Sequence, residues 1–152
     1  MIRVDIAGQY LAHRFYGVWR SYPVSTAKAG KGNLRGSLQT PIGRHHIAAK
    51  IGKGMPIRTA FRGRQPVGIY QPTRDDPTQD WILSRILWLA GEQTGQNRRG
   101  SVDTWQRYIY IHGTHDEAAI GTPSSHGCIR MRNCDIITLF DRVQPGERVI
   151  IR

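Results

Sequence analysis

Apolar and polar residues alternate over the first part of the chain, which is the pattern of strands that bury one face. Residues 2–6 alternate in this way, and further candidate strands lie at 10–15, 19–25 and 44–51. Between the last two runs the chain is rich in glycine, which is typical of a loop. The pattern therefore predicts several short strands in the N-terminal third.

Residues 81–92, WILSRILWLAGE, form the most apolar segment of the chain. Their spacing fits either a buried helix or a strand that is buried on both faces. The neighbouring strands and the Trp and Ile content favour a strand. Two further strands are expected at 104–113, which is rich in Tyr and Ile, and after the Pro-Gly turn within 145–152.

One segment, at 133–143, has the spacing of an amphipathic helix. Ile136, Leu139 and Phe140 would lie on one helical face, and Asn133 is a candidate N-cap. Cys134 would lie in the first turn, where no chemistry is expected of it. The predicted fold class is mainly β, a β-rich α+β domain with a short helix in the C-terminal half.

Size and composition are consistent with one domain spanning 1–152. A chain of 152 residues can bury a core without help from disulfides or metals. Seventeen glycines and eight prolines favour many turns and exclude a long helical bundle. Two cysteines give no disulfide framework, so each is expected to be a free thiol.

Twenty-two Lys and Arg against eleven Asp and Glu give a net charge of +11. Such a surface attracts anions, which include nucleic acid, acidic lipids and acidic small substrates. The basic residues are scattered, however, and no run resembles a polybasic tail. A basic nucleic-acid-binding module is kept as a remote alternative; it predicts a steep salt dependence of binding.

The N-terminus shows no targeting segment. It lacks the apolar core and small-residue cleavage site of a signal peptide, and no apolar run approaches the length of a membrane span. We therefore expect a cytoplasmic protein with no membrane partner, or a periplasmic one if the true N-terminus is longer.

Candidate chemistry is concentrated in residues 111–133, IHGTHDEAAIGTPSSHGCIRMRN. A thiol acts as a nucleophile when a base is near, and His112 could return to Cys128 across the intervening loop. The backbone around Gly127 and Cys128 could stabilise an oxyanion. Arg130 could hold a carboxylate with two hydrogen bonds. These residues together favour a cysteine nucleophile.

A zinc site is the competing interpretation of the same segment. His112, His115, His126 and Cys128 are four possible ligands. No Cys-x-x-Cys or His-Glu-x-x-His motif accompanies them, and the adjacent histidines at 45 and 46 would point to opposite faces of a strand. No metal and no other cofactor is therefore predicted.

The motifs IHGT and SSHGCIRM, with TPIG upstream, resemble the signature of the L,D-transpeptidase catalytic domain, the YkuD family. The likeness covers most of the chain and is strongest from Tyr108 to Arg152. It implies a mixed β-sheet sandwich with one short helix. It also implies an enzyme that acts on peptidoglycan stem peptides or muropeptides, with no nucleic-acid partner.

The resemblance also implies roles for individual residues. Cys128 would be the nucleophile, His112 the general base and later acid, and the Gly113 carbonyl would orient the His112 ring. Other residues are expected around them: Ser125, His126 and Gly127 to shape the site and its oxyanion amides, Arg130 to bind substrate, and Tyr110 and Thr114 to form walls.

The implied reaction has two halves. Cys128 takes the acyl group and expels D-alanine, and the thioester then passes to water or to an amine. Some family members without export signals resemble cytoplasmic L,D-carboxypeptidases, so the expected activity is trimming of recycled tetrapeptides to tripeptides. The alternative is an L,D-transpeptidase that forms cross-links or exchanges D-amino acids. The oligomeric state is left open.

Overall fold

A computed structural model describes all 152 residues and shows a mainly β fold with one α-helix. Ten strands belong to one curled mixed sheet. Their bounds are β1 Ile2–Asp5, β2 Tyr10–Phe15, β3 Val18–Pro23, β4 Gly43–Ile51, β5 Thr59–Arg62, β6 Gln65–Ile69, β7 Ile82–Gly91, β8 Tyr110–Gly113, β9 Ile129–Met131 and β10 Arg148–Ile151. The helix α1 spans Asn133–Arg142. The predicted β-rich α+β class is confirmed.

The strands follow the order β3-β2-β1-β10-β4-β7-β5-β6, and β8 pairs with both β7 and β9. Most pairs are antiparallel. The exceptions are β1 with β10 and β8 with β9, which run parallel. The β8–β9 pair carries the candidate chemistry, because β8 contains His112 and β9 begins directly after Cys128.

The main core fills the space between one face of the sheet and α1. It includes Leu87 and Leu89 of β7, and the face of α1 formed by Ile136, Leu139 and Phe140. A smaller cluster on the other face consists of Phe61, Ile86, Trp88 and Tyr110, and Cys128 packs against it. The ambiguous segment is thus a strand, buried on both faces as its apolar residues predicted.

Two local expectations differ from the structure. The strand expected at 104–113 covers only its last four residues, because the Asp103 carboxylate accepts backbone hydrogen bonds from Arg99 and Gln106 and stabilises turns before it. Asn133 is not the N-cap of α1, since Arg132 occupies that position. The backbone amide of Asn133 instead donates to the carboxylate of Glu117 at 2.8 Å.

His45 and His46 point to opposite sides of β4, as their adjacency predicted. His45 is fully buried, and its Nε2 lies 3.0 Å from the hydroxyl of Thr104. His46 is partly exposed and lies 3.4 Å from the carboxylate of Glu92. No helix of the structure has the length and apolar character needed to cross a lipid bilayer.

Candidate active site

The parallel register of β8 and β9 places the candidate residues on one face of the sheet. His112 is paired with Arg130, and Ile111 is paired with Ile129. Since side chains alternate across a strand, Tyr110 shares the face of His112, and Cys128 shares the face of Arg130. The isoleucines point the other way into the main core. The candidate site therefore lies on the sheet face away from α1.

The loop before Cys128 is held by the N-terminal part of the chain. Ser25 forms a bridge with Arg130, and Ala27 forms one with Ser125. The Thr40 hydroxyl donates to the Gly127 carbonyl at 3.0 Å and accepts from the Ala27 amide at 2.9 Å. Thr40 is the first residue of the TPIG motif, so the structure shows how that distant motif supports the loop.

Gly127 has a backbone conformation that other residues rarely adopt, with φ of +131°. A Cβ at this position would lie 3.3 Å from the Gln39 carbonyl oxygen and 3.2 Å from Ile109 Cδ1. Both contacts are tight, and one is to backbone. The glycine in this motif is therefore required by the path of the loop as well as by its conformation.

Gly127→Ala is expected to lower the free energy of unfolding by about 1–3 kcal/mol, because strain and the two close contacts add. Urea denaturation monitored by fluorescence measures this. Gly121→Ala is the matched control, since Gly121 has φ of +100° but nothing within 4 Å of its Cβ position. An equal loss in both variants would show that the contacts with Gln39 and Ile109 contribute nothing.

His112 is held in one orientation and one tautomer. Its side chain is buried, and Nδ1 lies 2.7 Å from the Gly113 carbonyl oxygen. A carbonyl only accepts, so Nδ1 carries the proton and Nε2 of the neutral ring has a free lone pair. Nε2 has no hydrogen-bond partner. Burial lowers the pKa of His112, although the hydrogen bond to Gly113 acts in the opposite direction. The ring is thus neutral at rest.

Cys128 is half-buried, and its sulfur makes two backbone contacts. The Tyr110 amide donates to Sγ at 3.3 Å, and the thiol donates to the Tyr108 carbonyl at 3.4 Å. Burial raises the pKa of the thiol to about 12, although the Tyr110 amide acts in the opposite direction. The thiol is therefore protonated at rest, and it must turn from Tyr108 before it can pass its proton to His112.

The two expected oxyanion amides differ in availability. The Gly127 amide already donates to Ser125 Oγ at 3.2 Å, whereas the Cys128 amide donates to no acceptor in the protein. The Ser125 hydroxyl donates in turn to the Cys128 carbonyl at 2.5 Å. Ser125 thus fixes the turn around Cys128, and of the two amides that of Cys128 is free to bind a further acceptor.

Asp80 is a member of the site that the sequence did not reveal. Its Oδ1 accepts from Arg130 Nη2 at 2.5 Å, and its Oδ2 lies 3.2 Å from Nδ1 of His126. Arg130 is nine-tenths buried, and its Nε has no partner. The Arg130 fork is therefore not free for a substrate carboxylate, which corrects the expected geometry: a carboxylate would have to displace Asp80.

Tyr110 and Thr114 have different surroundings, although both were expected to form walls. The Tyr110 hydroxyl accepts from Arg64 Nη1 at 3.2 Å, and its ring packs edge-on against Trp88 beside Cys128. Thr114 is 0% exposed, and its hydroxyl accepts from the Asp116 amide. The expectation of a substrate contact at Thr114 is therefore wrong.

The four candidate zinc ligands are not brought together. His115 lies with Nε2 2.8 Å from the Pro77 carbonyl, and His126 is paired with Asp80. No group of three or more His, Cys, Asp and Glu side chains in the structure is arranged to hold a metal ion. His112 instead binds the Gly113 carbonyl, and the Cys128 sulfur contacts the backbone at Tyr108 and Tyr110.

A groove of about 250 Å³ lies beside this face. Tyr108 and Ile109, which precede β8, form one part of its wall, and His126 forms another. Arg107 also lines it, with its guanidinium bound to the Gln39 carbonyl at 2.7 Å. The groove therefore joins the solvent to the segment that carries the Tyr108 carbonyl, the resting partner of the thiol.

Comparisons with known proteins identify the family of the chain. The family model for the L,D-transpeptidase catalytic domain, YkuD, matches residues 1–151. The curated protein YkuD of Bacillus subtilis (strain 168) is 54% identical over 110 residues, which are 70% of this chain and 65% of that protein. The chain thus matches slightly less than two thirds of this relative.

Solved structures show the same fold at low sequence identity. An L,D-transpeptidase from Mycobacterium smegmatis gives a TM-score of 0.58 at 19% identity, covering 99% of this chain and 57% of that one. L,D-transpeptidase 3 from Mycobacterium tuberculosis, in complex with a faropenem-derived adduct, gives 0.60 at 16% identity, covering 99% and 59%. With the family match over nearly all residues, the chain belongs to the YkuD family of L,D-transpeptidase catalytic domains.

Proposed function

We propose that this protein is a cysteine-dependent acyl-transfer enzyme that cleaves the bond between an L-centre and D-alanine in peptidoglycan stem peptides. One observation carries the proposal. The Cys128 thiol lies on the same sheet face as a His112 ring whose Nδ1 proton is held by Gly113 and whose Nε2 has no partner. Membership of the L,D-transpeptidase family supports the choice of substrate.

In the first half-reaction, His112 Nε2 takes the thiol proton and the Cys128 sulfur attacks the carbonyl carbon. The carbonyl oxygen becomes an oxyanion, which the Cys128 amide stabilises. When the C–N bond breaks, the protonated His112 returns its proton to the departing amine of D-alanine. A thioester on Cys128 and a neutral His112 remain.

The second half-reaction depends on the acceptor. We propose hydrolysis, which converts a tetrapeptide to a tripeptide in muropeptide recycling. Hydrolysis requires that water reaches the thioester. The exposure of His126 and Asp80 supports this, since their side chains are 63% and 38% exposed. Transpeptidation is the second candidate, and the family to which the chain belongs favours it. In both, His112 takes a proton from the acceptor as the acceptor attacks the thioester carbon, and it returns this proton to the Cys128 sulfur when the C–S bond breaks.

The test is mass spectrometry of a disaccharide tetrapeptide incubated with the protein, with and without D-methionine. Loss of one alanine in both conditions is the expected result. Replacement of alanine by methionine would assign transpeptidation instead. An unchanged tetrapeptide, with an intact thiol, would contradict both forms of the proposal.

A further inference from the structure

Asp80 ends the polar segment 71–80, QPTRDDPTQD. This segment is anchored on the same side of the sheet as Cys128. Trp81 Nε1 donates to the Asp76 carbonyl at 2.7 Å, and His115 Nε2 lies 2.8 Å from the Pro77 carbonyl. These contacts fix the segment on both sides of Asp80. The ion pair between Asp80 and Arg130 is therefore fixed by the surrounding structure, unlike the ion pairs that mobile side chains form on a protein surface.

The groups that face His112 and Cys128 contain a single carboxylate. Arg130 comes from β9, Arg107 from the segment before β8, and the Tyr110 phenol from β8. Asp80 comes from the polar segment, and it also binds His126. The residue opposite His112 on β7 is the apolar Ile86. Asp80 is therefore the one negative charge that can offset these cations.

This charge matters because the reaction creates a cation in a buried place. When His112 takes the thiol proton, an imidazolium forms next to the nearly buried guanidinium of Arg130. Two like charges repel strongly where water is excluded. A carboxylate bound to the guanidinium cancels most of that repulsion. Without it, the imidazolium would be less stable.

On the basis of the proposed function, we propose that Asp80 is a positioning residue that holds Arg130 and, by neutralising it, lets His112 keep the thiol proton while the sulfur attacks. Asp80 touches neither the sulfur nor the substrate in this role. It acts through Arg130, which it binds, and through its charge.

The protonation equilibria agree with this assignment. Burial by itself would raise the pKa of Asp80, but the charges of His112 and Arg130, with the hydrogen bonds from Arg130 and His126, hold it below its usual value. Asp80 is therefore an anion at neutral pH. Its charge raises the pKa of His112 and also raises the pKa of Cys128. It favours the imidazolium and disfavours a free thiolate.

These two effects give a test with opposite readouts. Asp80→Asn is made in a Cys134→Ser background, so that iodoacetamide reports on Cys128 alone. Without the carboxylate the pKa values of both groups fall. We expect kcat for tetrapeptide cleavage to fall about 10-fold or more, because the imidazolium persists after the sulfur has bonded to the carbonyl carbon, whereas the thiolate does not. The acid limb of kcat/KM should move to lower pH. Alkylation of Cys128 at pH 9 should become about 3-fold faster or more, because more thiolate is present.

Asp76→Asn is the matched control, since Asp76 lies in the same segment and its carboxylate binds only Thr78. It makes the same change in net charge and is expected to leave both readouts unchanged. Asp80→Glu keeps the charge and is expected to recover part of the lost turnover.

If Asp80→Asn lowers both kcat and the rate of Cys128 alkylation, Asp80 has a merely structural role and the proposal is overturned. The proposal is also overturned if neither rate changes. The alkylation arm needs no substrate. If the wild-type protein fails to cleave the tetrapeptide while Asp80→Asn still accelerates alkylation, the proposed substrate is wrong and the electrostatic role of Asp80 stands.

Discussion

Cys128→Ala is expected to abolish release of D-alanine from a tetrapeptide, with kcat lowered by about 10⁴-fold or more. No other nucleophile can replace the thiol. The nearby Ser125 hydroxyl is occupied by the Cys128 carbonyl, and Cys134 lies exposed on α1. Because alanine fits the half-buried position, the fold should be retained. The measurement is single-turnover mass spectrometry, which also detects the thioester in the wild-type protein.

Cys134→Ser is the matched control for this variant. It removes the other thiol of the chain at an exposed position, where the sulfur has only a weak contact with Asp135 at 3.8 Å. It should retain wild-type turnover. Full activity in Cys128→Ala, or loss of activity in Cys134→Ser alone, would contradict the assignment of the nucleophile.

His112→Gln is the second large expected effect, with kcat/KM lowered by about 10²- to 10⁴-fold. Glutamine is similar in length but cannot take the thiol proton. In the wild-type protein, kcat/KM should fall as pH drops through the pKa of His112, which burial places below its ordinary value. In the variant this acid limb should disappear, and the residual rate should rise with pH as the thiolate forms. A pH series of initial rates measures both.

Thermal unfolding serves as the control for His112→Gln, because the position is buried and a polar side chain there needs a partner. A variant that is folded at the assay temperature and still shows the wild-type acid limb would exclude His112 as the base. Another titrating group would then have to account for the limb.

Periodicity predicted the strands of the N-terminal third and the face of α1, because each has a local repeat that a single buried face imposes. For the segment that became β7 the periodicity was ambiguous, and the neighbouring strands with the Trp and Ile content favoured a strand. The hairpin of β5 and β6 went unrecognised. Its second strand, Gln65–Ile69, is exposed along its whole length and contains Pro66 and Gly68, so it has no alternation to detect.

The parts of the site that lie close in sequence could be predicted, and those joined only by the fold could not. The motif around Cys128 has its own spacing, and His112 with Gly113 is a local unit. Asp80 has no such signal. It stands in QPTRDDPTQD beside Asp75 and Asp76, and only tertiary packing distinguishes it, by bringing it to Arg130.

The same reasoning explains the two misjudged side chains near the motif. Thr114 follows the strand that carries His112, and its sequence position alone suggested a wall. Its burial results from the turn toward Asp116. Asn133 has the residue type of a cap, but its side chain donates to the Thr114 carbonyl and to Glu117. The Glu117 carboxylate also accepts from the backbone amide of Asn133, so a residue distant in sequence binds the free amide at the start of the helix.

The contacts that hold the loop before Cys128 have a consequence for the folding of the chain. Thr40 and Gly127 are 87 positions apart, and their hydrogen bond, like the bridge from Ser25 to Arg130, closes most of the chain into a ring. Such closures carry an entropic cost and slow folding. The C-terminal segment that holds both His112 and Cys128 thus depends on the N-terminal part of the chain for the shape of its loop. We therefore expect a chain cleaved between its two halves to hold Cys128 in place only while the halves remain associated.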